Sequence, residues 1–340
     1  MVYLHIFGTE NEFSEEYYGS GYTEPWVSYT LETSAVNYNN NTIPFQQTPF
    51  TIQFIDANSL YASNIGEYDL EYRLNGGQWT QFPTDTLELY FSAGDEISFK
   101  GTQGASEMNS FIQDKGNRMN VYGNIMSIEA GDGFESATTV TNGFVNLFME
   151  WSGLISAENL LLPATTLTDS CYSNMFYGCT GLTQAPALPA TTLAGSCYYG
   201  MFTYCASLTQ APALPATALA GSCYQSMFYG CTGLTQAPAL PATALANGCY
   251  SNMFNGCTSL TSAPELPALT LAENSYSAMF YGCSSLNYIK CLATNIQENN
   301  CTDNWVYGVS GSGTFVKNPS MASWPSGDSG IPSGWTTQNG

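Results

Sequence analysis

Basic residues are scarce in this chain. Six Lys and Arg face 27 Asp and Glu among 340 residues, for a formal net charge of −21. A nucleic-acid partner requires a clustered cationic footprint. The six cations (Arg73, Lys100, Lys115, Arg118, Lys290 and Lys317) are scattered, and only Lys115 and Arg118 lie close together. Nucleic-acid binding is therefore excluded as a reading. The same charge disfavours adsorption to anionic membrane and favours solubility at high local concentration. Histidine is almost absent: His5 stands alone, and no Cys-x-x-Cys occurs. That removes the ligand patterns of zinc sites, so no metal and no cofactor are expected. No stretch of about 18 apolar residues is present, so no membrane insertion is expected. The opening MVYLHIFGTENEF lacks the basic region and the apolar run of a secretion signal. Either a signal has been trimmed away, or the protein leaves its cell by another route, such as lysis.

Convergent titratable groups are also missing. An active site needs a set of them in one place, and the C-terminal half offers mainly Glu265, Glu273 and Lys290. The cysteines of its repeat columns have no neighbouring His or Lys to lower their pKa. Gly311-Ser312-Gly313 lacks the Lys and the helix of a phosphate loop. The chain reads as a non-enzyme. Carboxylate pairs such as Glu15-Glu16 and Asp95-Glu96 have the chemistry for Ca²⁺, but solvated acidic loops are the commoner explanation of such pairs.

What is present is a repeat. From residue 141 to 310 one unit recurs every 26 residues. Phe176, Phe202, Phe228, Phe254 and Phe280 form one column, preceded by Met175, Met201, Met227, Met253 and Met279. Cys179, Cys205, Cys231, Cys257 and Cys283 form another, and Leu182, Leu208, Leu234, Leu260 and Leu286 a fourth. Such strict spacing marks a solenoid, in which each unit buries its apolar face only against its neighbours. The end copies are degenerate, as capping predicts: Leu147-Phe148 upstream at an offset of 28, and Trp305-Val306 downstream. Cys171, Met175, Cys179 and Leu182 fall at i, i+4, i+8 and i+11, which predicts one face of a short helix, with Ser170 as N-cap and Gly178 near its end. Pro186 and Pro189 force the second half of the unit to be extended. Each coil is thus expected to be one short helix and one short strand.

Ten of the eleven cysteines lie in two columns of this array. The first is Cys171, Cys197, Cys223, Cys249 and Cys301. On a helix the two cysteines of one unit would stand about 12 Å apart, beyond disulfide reach. Both columns read as small, buried, reduced packing residues, against the sharper alternatives of an inter-coil disulfide ladder or a metal site.

The remainder divides around the repeats. Residues 1–45 are rich in Tyr, Glu, Asn and Ser and read as an arm or docking segment. Residues 46–140 carry short alternating runs, among them Tyr68–Leu74, a turn at Asn75-Gly76-Gly77, and Glu96–Lys100. This spacing predicts an immunoglobulin-like β-sandwich. Residues 311–340 are rich in Gly, Ser, Pro and Trp and are expected to form an irregular cap that covers the last coil with Trp324, Ile331 and Trp335. The fold class expected is therefore α+β and multidomain: an N-terminal sandwich, a helix–strand solenoid and a cap.

The stretch Phe176-Tyr177-Gly178-Cys179 to Leu182, repeated at Phe228, Phe254 and Phe280, resembles the BspA-type leucine-rich repeats of Bacteroides, treponemes and mycoplasmas. The Phe202 copy departs, with Tyr204 at the Gly place. The resemblance covers roughly half the chain. The YRLNGGQWTQF and AGDEISFKG stretches look like the immunoglobulin-like modules that precede such repeats in Bacteroides proteins and in phages that infect them. The resemblance implies adhesion to a host surface rather than catalysis, and it transfers no binding residue. Joined to the missing signal, it leads to a phage head fibre, tail fibre or decoration protein on the virion surface. Its partners would be other virion proteins and a host cell-surface glycan or protein, and a homo-oligomer stays open. A bacterial surface adhesin and a purely structural spacer are the alternatives. Between the packing columns, Tyr172, Tyr198, Tyr224, Tyr250 and Tyr276 adjoin buried cysteines, whereas Tyr177, Tyr229 and Tyr281 follow the Phe column. Tyr supplies large contact area with few rotatable bonds, and Tyr177, Tyr229 and Tyr281 are the candidate binding ridge.

Overall fold

The structure, a computed structural model, describes residues 35–38, 41–63, 69–83, 86–102, 116–140 and 143–340. Most of the arm expected over 1–45 lies outside these residues. The described strands of the front half are β1 (Ala35–Tyr38), β2 (Asn41–Pro44), β3 (Thr51–Phe54), β4 (Asn58–Ser63), β5 (Leu70–Leu74), β6 (Thr80–Gln81), β7 (Thr86–Phe91), β8 (Glu96–Gly101) and β9 (Met119–Asn124). One helical turn, α1 (Ser127–Ala130), and a 3-10 segment at Gly131–Ser136 follow. The array begins with β10 (Leu154–Ser156) and β11 (Leu160–Leu161) and ends with β12 (Tyr288–Cys291), β13 (Thr314–Lys317) and β14 (Thr336–Asn339).

The front half is built on one sheet ordered β10-β9-β3-β8-β5-β6, with β11 also on β9. The β5–β6 connection turns where Asn75 and Gly76 take positive φ (47° and 70°) and Gly77 N–H donates to Leu74 O at 2.8 Å. These two residue types carry positive φ at low cost. Strands β4 and β7 pair as a separate antiparallel ribbon, held to the sheet where Phe91 stacks on Phe54 at 4.0 Å. The expected self-contained sandwich is not what forms. Strand β9 is antiparallel to β3 on one side and parallel to β10 and β11 of the first coil on the other. The front sheet therefore runs into the array, and Phe50 meets Phe148 across the junction at 5.7 Å.

The array also corrects the sequence reading. The coils contain no helix, and α1 is the only α-helix among the described residues; an α+β solenoid of helix–strand coils is overturned. The segments expected to be helical are runs of tight turns. Every fourth residue is left-handed: Ser170, Asn174 and Gly178 in one coil, Ser222, Ser226 and Gly230 two coils on, then Gly248, Asn252 and Gly256. A helix needs φ near −63° at every position, so this backbone cannot be one. Its amides alternate in direction. Met175 N–H donates to Tyr172 O within the coil, whereas Phe176 N–H donates to Met201 O of the next. The i, i+4 apolar spacing thus has a four-residue turn as its cause. Ser170, expected as an N-cap, has φ 61° and lies inside this turn run.

The extended halves touch neighbouring coils through single parallel bridges such as Thr166↔Thr192, Thr192↔Ala218 and Gln210↔Gln236. Prolines remove the donors a longer ladder would need. Where the extended segment itself carries no proline, β12, β13 and β14 form a parallel three-stranded sheet. The C-terminal segment expected to be irregular supplies two of these strands. Its Trp324 stacks on Trp305 at 5.8 Å, and Trp335 Nε1–H donates to Ser310 O at 2.7 Å.

Inside the coils the Phe column is fully buried and its rings stack at 5.4, 5.6, 5.7 and 5.7 Å from Phe176 to Phe280. The second cysteine column does more than fill space. Cys179 Sγ–H donates to Phe148 O at 3.0 Å, and Cys205, Cys231, Cys257 and Cys283 donate to Phe176, Phe202, Phe228 and Phe254 in the same way. Each thiol therefore bonds back to the Phe carbonyl of the preceding coil. All eleven cysteines are free and buried.

Candidate functional site

Tyr177, Tyr229 and Tyr281 follow the Phe column directly, so the turn that buries each Phe carries the next side chain toward the surface. Tyr177 and Tyr229 are half-buried and Tyr281 is 38% exposed. They lie along one face but in two groups. Tyr177 and Tyr229 are two coils apart and are joined by Tyr204, whose ring meets theirs edge-on at 5.6 and 5.4 Å. Tyr281 pairs instead with Tyr307, stacked at 4.7 Å. Asn255 holds the intervening place.

Tyr204 and Tyr307 are ridge residues that sequence reasoning did not select. Tyr204 did carry a signal: it occupies a column that is Gly178, Gly230, Gly256, Gly282 and Gly308 in the other coils and Glu150 in the degenerate first copy, all with positive φ, and its own φ is 61°. A bulky residue there is an outlier. Its ring covers Gly230, where a Cβ would fall 2.5 Å from Tyr204 Cδ1. Its hydroxyl is raised above the ordinary range by desolvation, by the neighbouring Tyr229 and by a hydrogen bond with it. Tyr204 is 44% exposed and Tyr307 47%.

The face has little charge. Between Asp169 and Glu265 the chain contains no charged residue. Glu150, beside Gly178, stands at the upstream end of the ridge. The Tyr172 column is interior, each ring no more than 1% exposed.

In the front half several charged groups are engaged with one another. Lys100 is paired with Glu71 at 2.9 Å and Asp132 at 2.8 Å, and its ammonium is raised, first by the Asp132 hydrogen bond. Asp95 accepts from Asn75 Nδ2 and from Ser92 N–H, and Glu96 accepts from Gln53, so this pair is spent on the turn. Glu15 and Glu16 lie outside the described residues. An open groove lined by Thr243, Leu269, Thr270, Glu273 and Glu298 has two carboxylates and no base beside them. The buried thiols are pushed up by desolvation, Cys231 and Cys283 to about 12, which is the opposite of nucleophile activation. No protein-family model, curated protein or solved structure matches the chain.

Proposed function

We propose that this is a non-enzymatic recognition protein of a phage virion surface, a fibre or decoration protein. It binds an uncharged host cell-surface glycan through the ridge Tyr177, Tyr204 and Tyr229, with Tyr281 and Tyr307 further along the same face. The observation that carries this is Tyr204. A Cβ-bearing residue in the left-handed region costs about 1–2 kcal/mol, and the equivalent coils avoid the cost with Gly, except the degenerate first copy, which carries Glu150 at φ 64°. Strain retained at an exposed position, in a side chain that assembles an aromatic cluster, is how functional sites use sparsely populated backbone. Aromatic faces with hydroxyls suit sugar rings. A face without cations favours neutral sugars over sulfated or sialylated ones, and the net charge of −21 disfavours anionic partners further. The virion setting is supported by the resemblance of the repeats and the front module to phage and Bacteroides surface proteins. Capsid and tail genes beside this one would favour it over the bacterial adhesin.

The test is binding to arrays of neutral and anionic glycans. The wild type is compared with Tyr204→Gly and with the triple variant Tyr177→Ser, Tyr229→Ser, Tyr281→Ser, each checked by thermal melting. Neutral glycans should bind, and Tyr204→Gly should lose most of the binding with its fold intact. Undiminished binding in both variants sinks the ridge. Loss that tracks melting would make these residues structural.

A further inference from the structure

A second aromatic column runs inside the array, and three of its polar atoms have no partner. Tyr172, Tyr198 and Tyr224 are 0, 1 and 1% exposed, and their hydroxyls are buried without a hydrogen bond among the described residues. Burying a hydroxyl unpaired is unfavourable. The stack itself does not need one. Phe144 heads the same column and stacks on Tyr172 at 5.8 Å and 8°, and the neighbouring column is built of Phe throughout. Three Phe would give the same packing without the desolvation cost, so the hydroxyls call for a partner.

The spacing points to one. Tyr172 to Tyr198 is 5.8 Å between centroids at 16°, and Tyr198 to Tyr224 is 5.8 Å at 4°. Near-parallel rings in one column place successive hydroxyls at about the same separation. Half of 5.8 Å is 2.9 Å, inside the range of an O–H···O bond. One small molecule just off the midpoint therefore reaches both oxygens, with its two bonds opened wider than tetrahedral.

We propose that a file of buried water runs along this column, one molecule in each gap between Tyr172, Tyr198 and Tyr224. Each bridges hydroxyls of adjacent coils. Two such bonds lie within the range of about two to four that buried waters make. The file is an inter-coil bond through the interior, parallel to the Cys-to-Phe carbonyl bonds of the other column.

Two measurements on the full chain test it. A high-resolution crystal structure should show a density peak in each gap within hydrogen-bond distance of both hydroxyls. The variant Tyr198→Phe, which keeps the ring and strips the centre of the file, should melt about 2 °C or more below the wild type. Empty gaps would overturn the proposal. So would an unchanged or higher melting temperature in Tyr198→Phe, because deleting a dry, unpaired hydroxyl relieves its cost.

Discussion

Replacing Gly256 by Ala separates the observed turn stack from a helical coil by the sign of one number. Gly256 has φ +77°, and a Cβ added there would meet Gly230 Cα at 3.6 Å and N at 3.7 Å. Those are ordinary contacts, so the methyl fits and the cost lies in the backbone. A Cβ-bearing residue in the left-handed region costs about 1–2 kcal/mol. Losing a glycine returns about 0.4–1 kcal/mol through the unfolded chain. The net expectation is a loss of about 1 kcal/mol. Were this segment a helix, the same change would stabilise it by about 1 kcal/mol. The reciprocal change is Ala278→Gly, at a residue with φ 50°. Relief of about 1–2 kcal/mol against a glycine entropy cost of about 0.5–1 kcal/mol leaves it neutral to stabilising. Urea titration followed by aromatic fluorescence measures both. Stabilisation by Gly256→Ala, or a loss of about 1 kcal/mol in Ala278→Gly, would refute the left-handed turn reasoning.

Two further outcomes follow from the packing. Phe228 is fully buried between Phe202 and Phe254, at 5.6 and 5.7 Å. Phe228→Ala should cost roughly 3–5 kcal/mol by urea denaturation, and a cost under about 1 kcal/mol would deny that the column is core. Burial lifts the thiols of Cys231, Cys249 and Cys283 from an ordinary 9.0 to about 12. Above pH 9 the unfolded chain then holds fewer protons than the folded one, so stability is fully present below pH 9 and is lost as pH rises toward 12. A urea midpoint that stayed flat from pH 8 to 11 would contradict this.

The columns of the array were legible because stacking imposes one spacing on every coil. Phe176 to Phe280 and Cys179 to Cys283 had to be equivalent wherever the chain went between them. The local backbone was misread because two geometries share a period. Apolar residues four apart mark a helix face, but they also mark a run of four-residue turns. The distinguishing residues lay in the same segments: Asn174 and Gly178, Gly230, and Gly248, Asn252 and Gly256 are the types that tolerate positive φ, whereas Ser170, Ser222 and Ser226 carry no such signal. Asn and Gly at a strict interval of four are poor helix interiors. In the front half the Asn75-Gly76 turn was local and readable. The pairing of β9 with β10 and β11 was not, since parallel partners so far apart in sequence leave no turn signal between them.

The same division holds for the ridge. Periodicity alone put Tyr177, Tyr229 and Tyr281 on one face, because each occupies the place after a buried Phe. It could not group them. The grouping depends on what the intervening coils contribute. Thr203 leaves room that Tyr204 fills from the adjacent, left-handed position, whereas Asn255, with Gly256 beside it, leaves a break. A repeat makes its departures informative: a residue that breaks the glycine column must either have been tolerated or have been retained for what its side chain does. The 44% exposure of Tyr204 argues against core packing as that reason, and its edge contacts to two exposed-face tyrosines argue for a surface role. The interior Tyr172 column makes the converse case. Its regularity looks like packing alone, and only the unpaired hydroxyls distinguish it from the phenylalanines beside it.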